Sequence, residues 1–365
     1  MRRATVFILL LLPAGCAGRP DPMVLASVAD TAIMANHTVK VFAATSRRRL
    51  SPVENRFADD LSTQTSYASF DVALPPNHKT GEIEWPSGKP DPRVSFSVSG
   101  QQVLGREAFL RTIASQRVTG DTGVFVHGYN TSFEEGVFRL AQMAADSDLG
   151  GTPILFAWLS QAAVTGYLTD KEAATASRDN LAALLSDVAG TRRGKNITVF
   201  GHSMGAWLVM EALRQLKLEK RDDVLTRLHV FLAAPDIDET VFQTQLAAIG
   251  KMRTPITIFV SKDDLALRVS SFLTGNRQRI GTLDVMNPDV AAVSRKNSVR
   301  IVDISALEAN DRLRHDRYAA LAGMQRKMGV ARSDTSLLQG AGAFLFRLTT
   351  FDGQPVSMTT DSLPR

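Results

Sequence analysis

A chain of 365 residues, 44% hydrophobic and 22% charged, has a globular composition and can bury one substantial core or two small ones. That balance excludes a disordered chain, and basic residues this scattered, at a formal net charge of +5, exclude a nucleic-acid module with aromatics between its cations. The single cysteine, Cys16, excludes an internal disulfide and a cysteine-rich metal centre, and no histidine spacing suits a metal.

The chain opens on Arg2-Arg3 and an apolar stretch over residues 4–13, with small residues at Pro13-Ala14-Gly15-Cys16. This is the layout of a secretory leader, residues 1–15, too short to span a bilayer. Its removal would lower the net charge to about +3, because Arg2 and Arg3 leave with it. A lone cysteine at that point resembles the lipobox of bacterial lipoproteins, which implies lipidation of Cys16. Ala17 in the next position implies retention at the outer membrane, facing the periplasm. A soluble periplasmic form, cleaved near Ala17, is the other reading. Residues 16–37 are unpatterned and read as a tether.

From Val39 onward, short apolar runs alternate with helical stretches, the pattern of a mostly parallel sheet with helices on both faces. Strands are expected over 39–43, 68–74, 124–126, 154–158, 197–200, 228–232, 256–260 and 299–302. The run Arg47-Arg48-Arg49 reads as a solvated loop, and residues 75–98, rich in Pro and Gly, as a long connection. Ser132-Phe133-Glu134-Glu135 has the spacing of a capping box, so a helix should start directly after His127-Gly128-Tyr129-Asn130. Residues 206–216 are apolar nearly all round, as in a buried helix. The hydrolase-like domain is placed at 38–324, and 325–365 form an extension that fits no strand–helix unit.

Between the expected strand 197–200 and the buried helix lies Gly201-His202-Ser203-Met204-Gly205. A serine on a sharp strand-to-helix turn stands above the sheet at a helix N-terminus, where developing negative charge is favoured. The glycines leave room for that turn. A serine nucleophile needs a base, and in this arrangement the acid and then the histidine follow it along the chain. Of six histidines only His229 and His315 follow Ser203, and His229 lies inside an expected strand, which leaves His315. The acid is open among Asp264 and Asp263, after strand 256–260, and Asp236, after strand 228–232; Asp264 is preferred. Oxyanion donors are expected from the N–H of Met204 and, across Gly128, of Tyr129. His127 reads as a brace for that loop.

These segments resemble the α/β-hydrolase family catalogued as DUF900 over roughly residues 38–320. The resemblance is carried by Val41-Phe42-Ala43-Ala44-Thr45-Ser46-Arg47, Phe125-Val126-His127-Gly128-Tyr129-Asn130 and the Ser203 pentapeptide. Ala233-Ala234-Pro235-Asp236-Ile237-Asp238 and Ser261-Lys262-Asp263-Asp264-Leu265-Ala266-Leu267 add to it. In the family pattern the aspartate two residues before Ala-Leu corresponds to Asp264. The resemblance implies an esterase- or lipase-like serine hydrolase without a cofactor, acting on a small-molecule or lipid ester. An envelope acyltransferase with the same triad and a non-catalytic binding lipoprotein are the alternatives.

Overall fold

The computed structural model describes residues 19–28, 37–116, 120–147, 151–191, 195–297, 299–321 and 356–357. Cys16, the leader and most of the extension beyond Met324 lie outside the described residues.

All eight expected strands are present. In chain order the strands are β1 (His37–Arg49), β2 (Phe57–Leu74), β3 (Ser97–Leu104), β4 (Thr122–Val126) and β5 (Thr152–Ala157), then β6 (Ile197–His202), β7 (Leu228–Ala233), β8 (Ile256–Val260), β9 (Val299–Asp303) and β10 (Val356–Ser357). The main helices are α1 (Arg106–Ser115), α2 (Phe133–Ser147), α3 (Tyr167–Ala176), α4 (Arg178–Thr191), α5 (Met204–Leu218), α6 (Asp222–Leu225), α7 (Glu239–Ile249), α8 (Leu265–Leu273) and α9 (Pro288–Asn297). The strands form one sheet in the order β10-β9-β8-β7-β6-β4-β5-β1-β2-β3, in which only β2 runs against the rest.

The central strands β4 to β8 are buried along most or all of their length, which is why they read as unbroken apolar runs. Their side chains still alternate between two cores. Val124, Val126, Val199 and Ile258 face one core, together with Leu184 of α4 and Leu208 of α5. Phe125, Phe200 and Phe259 face the other, against Val137 and Phe138 of α2 and Tyr318. The expected capping box starts α2: Glu135 Oε2 accepts from Ser132 N at 2.7 Å, and Ser132 Oγ accepts from Glu135 N at 3.2 Å.

Three sequence readings are corrected. Arg47 and Arg48 do not sit in a solvated loop but in the polar continuation of β1, paired across to Asp59 at 3.0 Å and Asp60 at 2.9 Å on β2. Residues 97–98, counted in the long connection, begin β3, whose Gly100 and paired glutamines hide the alternation. Residues 19–28, read as part of a tether, lie against the domain instead. Val24 and Leu25 are buried in the second core, Val28 N donates to Val98 O at 2.9 Å, and Gln101 Nε2 donates to Leu25 O at 3.1 Å.

Candidate active site

Ser203 sits between the end of β6 and the first residue of α5 with φ +54° and ψ −120°. That left-handed φ is strained for a residue with a side chain, and the surroundings hold it there. Ser203 N donates to Ala233 O at 2.9 Å, while Ser203 O accepts from Ala206 N at 3.0 Å and Asp236 N at 3.2 Å. Both flanking glycines are required by space. A Cβ on Gly201 would lie 2.8 Å from Ala206 Cα, and one on Gly205 would lie 2.3 Å from His127 O and 2.4 Å from Val126 O. Met204 opens the helix, so its N–H is one of those without an intrahelical acceptor.

His315 Nδ1 lies 2.7 Å from Asp264 Oδ2. Asp264 is wholly buried and also caps α8, its Oδ1 accepting from Leu267 N at 2.9 Å. The cap and the histidine partner are therefore one residue, using different oxygens. Burial alone pushes the imidazole pKa of His315 down, but the charge and hydrogen bond of Asp264, with smaller contributions from Asp311 and Asp236, raise it above 6.5. The His315 backbone is fixed by Asp311, whose Oδ1 accepts from His315 N at 2.8 Å and Asp316 N at 3.1 Å. Asp316 reciprocates by accepting from Asn310 N at 2.9 Å.

The other two acids are engaged elsewhere. Burial acts to raise the pKa of Asp263, yet hydrogen bonds from Arg317, Ser261 and Arg314 dominate and hold it at about 2. Asp236 accepts from Ser270 Oγ at 2.5 Å and Tyr167 OH at 2.9 Å, with Arg279 Nε 3.1 Å away.

His202, next to Ser203, has its ring 4.6 Å from that of His315 and tilted by 48° to it, and its Nε2 lies 3.3 Å from His315 O, to which it donates. Burial, then the neighbouring His315 charge, lowers its pKa well below 6.5, so it stays neutral. His315 is thus brought beside the segment that carries Ser203.

The loop after β4 closes over the serine: a Cβ on Gly128 would lie 3.1 Å from Ser203 Cβ. His127 has the bracing geometry expected of it. Its ring stacks on Trp158 at 5.1 Å, its Nδ1 lies 2.8 Å from Gly128 O, and Trp158 Nε1 donates to His127 O at 2.8 Å. Burial lowers its pKa to about 4, so it is neutral at physiological pH. Tyr129 follows, its hydroxyl donating to Ala163 O at 3.1 Å.

Sequence reasoning missed the group that holds this loop from behind. The carboxylate of Asp170, fully buried, accepts from Ser160 Oγ at 2.6 Å, Gln161 N at 2.7 Å and, more weakly, Asn130 N at 3.5 Å. Ser160 Oγ in turn accepts from Thr131 N at 3.2 Å, and Arg47 donates to Ser160 O. No local spacing marks Asp170. Beside the loop lies a cavity of about 560 Å³, lined by Trp85, His127, Gly128, Arg139, His202 and Tyr318 among others.

Comparison with known proteins gives one family match. The profile described as alpha/beta hydrolase of unknown function (DUF900) matches residues 105–332. No curated protein matches. Among solved structures, a lipase-esterase related protein from Clostridium acetobutylicum is 15% identical, over 55% of this chain and 80% of its own, at a TM-score of 0.22. The peroxisomal alpha-beta-hydrolase Lpx1 from Saccharomyces cerevisiae is 13% identical, over 55% of this chain and 44% of its own, at a TM-score of 0.21.

Proposed function

The chain belongs to the family of alpha/beta hydrolases of unknown function DUF900, and on that premise we propose that it cleaves carboxylic esters or thioesters through an acyl-Ser203 intermediate. The observation that carries this reading is the 2.7 Å bond between Asp264 and His315, set beside a serine held in a strained turn.

In the first step Ser203 Oγ attacks the carbonyl carbon while His315 Nε2 takes the hydroxyl proton. Asp264 keeps the other ring proton on Nδ1 and stabilises the imidazolium. The N–H groups of Met204 and Tyr129 stabilise the oxyanion. Collapse of the tetrahedral intermediate breaks the bond to the leaving oxygen or sulfur, which receives the proton from His315. Water, deprotonated by His315, then attacks the acyl carbon, and collapse of this second intermediate breaks the bond to Ser203 Oγ, which takes the proton back from His315 as the acid leaves.

A fluorophosphonate probe added to the purified protein and to its Ser203→Ala variant tests the reading. Labelling of the wild type alone is the expected result. A folded wild type that does not label, or a variant that labels equally, removes Ser203 as nucleophile.

The base must be neutral to act, so kcat/KM should fall as pH drops through the raised His315 pKa, placing the acid limb above pH 6.5. Asp264→Asn should move that limb to lower pH. Stability runs the other way: a histidine whose pKa is raised on folding contributes fully below its unfolded value and loses that contribution as pH rises through the folded one. The profile of kcat/KM against pH checks this; an acid limb unmoved in Asp264→Asn would separate Asp264 from the base.

A further inference from the structure

We propose that the mouth of this site docks on an anionic phospholipid bilayer and takes its ester from that surface; the second half rests on the hydrolase reading above. Large apolar side chains normally leave the surface of a lone protein in small scattered numbers, whereas a cluster marks an interaction site. Here six such residues project from three neighbouring segments: Val164 and Leu168 are 70% and 71% exposed, Val269, Phe272 and Leu273 are 55%, 73% and 57% exposed, and Leu313 is 49% exposed.

Those segments leave the C-terminal ends of β5, β8 and β9, the sheet edge where Ser203 stands. Hydrogen bonds join them. Asp236 accepts from both Tyr167 OH at 2.9 Å and Ser270 Oγ at 2.5 Å, Leu265 N donates to Leu313 O at 2.9 Å, and Tyr129 OH ties the first segment to the catalytic loop by donating to Ala163 O at 3.1 Å. The α8 helix turns Leu267 and Ser270 inward and still presents Val269, Phe272 and Leu273 outward. Its start is fixed by Asp264, so the apolar rim and the acid that holds His315 share one helix.

Charge selects the occupant. Among the described residues, Lys262, Arg268 and Arg312 are exposed and have no ion-pair partner, whereas Arg314 is balanced by Asp263 and Arg277 by Asp238. Residues 160–169 carry no charge at all. Apolar side chains interleaved with unbalanced cations suit a surface of acyl chains beneath anionic headgroups. The attraction should weaken in salt, since these cations are exposed.

The test places an environment-sensitive NBD fluorophore on Phe272→Cys in the full chain carrying Cys16→Ser, with Leu218→Cys as the control. Leu218 ends α5 at the opposite edge of the sheet. Vesicles of equal phosphatidylglycerol and phosphatidylcholine should raise and blue-shift emission at position 272 several-fold and leave position 218 unchanged. Pure phosphatidylcholine, high salt, or joint replacement of Lys262, Arg268 and Arg312 by Gln should reduce the response at least threefold. An unchanged signal at 272, an equal change at 218, or indifference to lipid charge overturns the proposal. A blue-shifted signal before vesicles are added shows the face already covered, by a second copy if it fades on dilution and by this chain if it persists; either also overturns it. The response should survive in Ser203→Ala, so docking without fluorophosphonate labelling of the parent would sink the hydrolase reading and leave the membrane surface standing.

Discussion

Alanine in place of His315 is expected to lower kcat/KM for a soluble activated ester by about 10⁴- to 10⁶-fold, with the protein still folded. No other histidine is placed to substitute. Burial disfavours the imidazolium form of His127 and His202, whose rings are committed to the Gly128 and His315 backbone oxygens. His229 lies within β7, His37 begins β1, and His78 is held by Glu84 and Asp146. The variant leaves Asp264 Oδ2 without its imidazole while Oδ1 still caps α8. A stability loss of about 1–3 kcal/mol should therefore accompany the kinetic one. Steady-state kinetics beside a urea melt separates the two. A fall of less than tenfold in a folded variant would remove His315 from the base role.

Gly205→Ala should cost more in stability than any conservative change at the surface, about 3 kcal/mol or beyond. The new methyl would lie 2.3 Å from His127 O, 2.4 Å from Val126 O and 2.9 Å from Val126 C, all backbone atoms of the strand end and the loop over Ser203. No side chain can rotate away to relieve this, so helix α5 and the 126–128 segment must part. That movement opens the same backbone that is proposed to supply an oxyanion donor, so activity should fall with stability. Gly190→Ala is the control: nothing lies within 4 Å of its Cβ position in α4, and alanine there should be neutral or stabilising by about 0.5–1 kcal/mol. Equal urea midpoints for Gly205→Ala and the wild type would show that the elbow tolerates expansion.

The parts legible in the sequence are those decided locally. Buried parallel strands need apolar residues on both faces, and the turn at Ser203 needs small neighbours, so both leave continuous traces. His315 emerged from chain order alone. The acid did not, because Asp263 and Asp264 are adjacent and the choice is made elsewhere. Arg317, 54 residues further on, takes Asp263, and the first turn of α8 takes one oxygen of Asp264. The polar half of β1 was unreadable for the same reason: Arg47 and Arg48 are strand residues only because Asp59 and Asp60 face them. Asp170 joins two loops that lie 30 residues apart, and no spacing rule anticipates such a hub.

The docked N-terminal residues would set the reach of an anchor carried at Cys16. Arg19 donates to Glu135 Oε2 at 2.8 Å and also reaches the Asn130 carbonyl, which fastens the chain at the rim of the catalytic loop. Cys16 precedes Arg19 by three residues, and three extended residues span only about 10 Å. An acyl chain on Cys16, as the leader leads one to expect, would then hold the domain flush against the bilayer rather than on a stalk. The same short reach would favour one orientation, with the C-terminal end of β4 turned toward the lipid and the C-terminus of α5 pointing away.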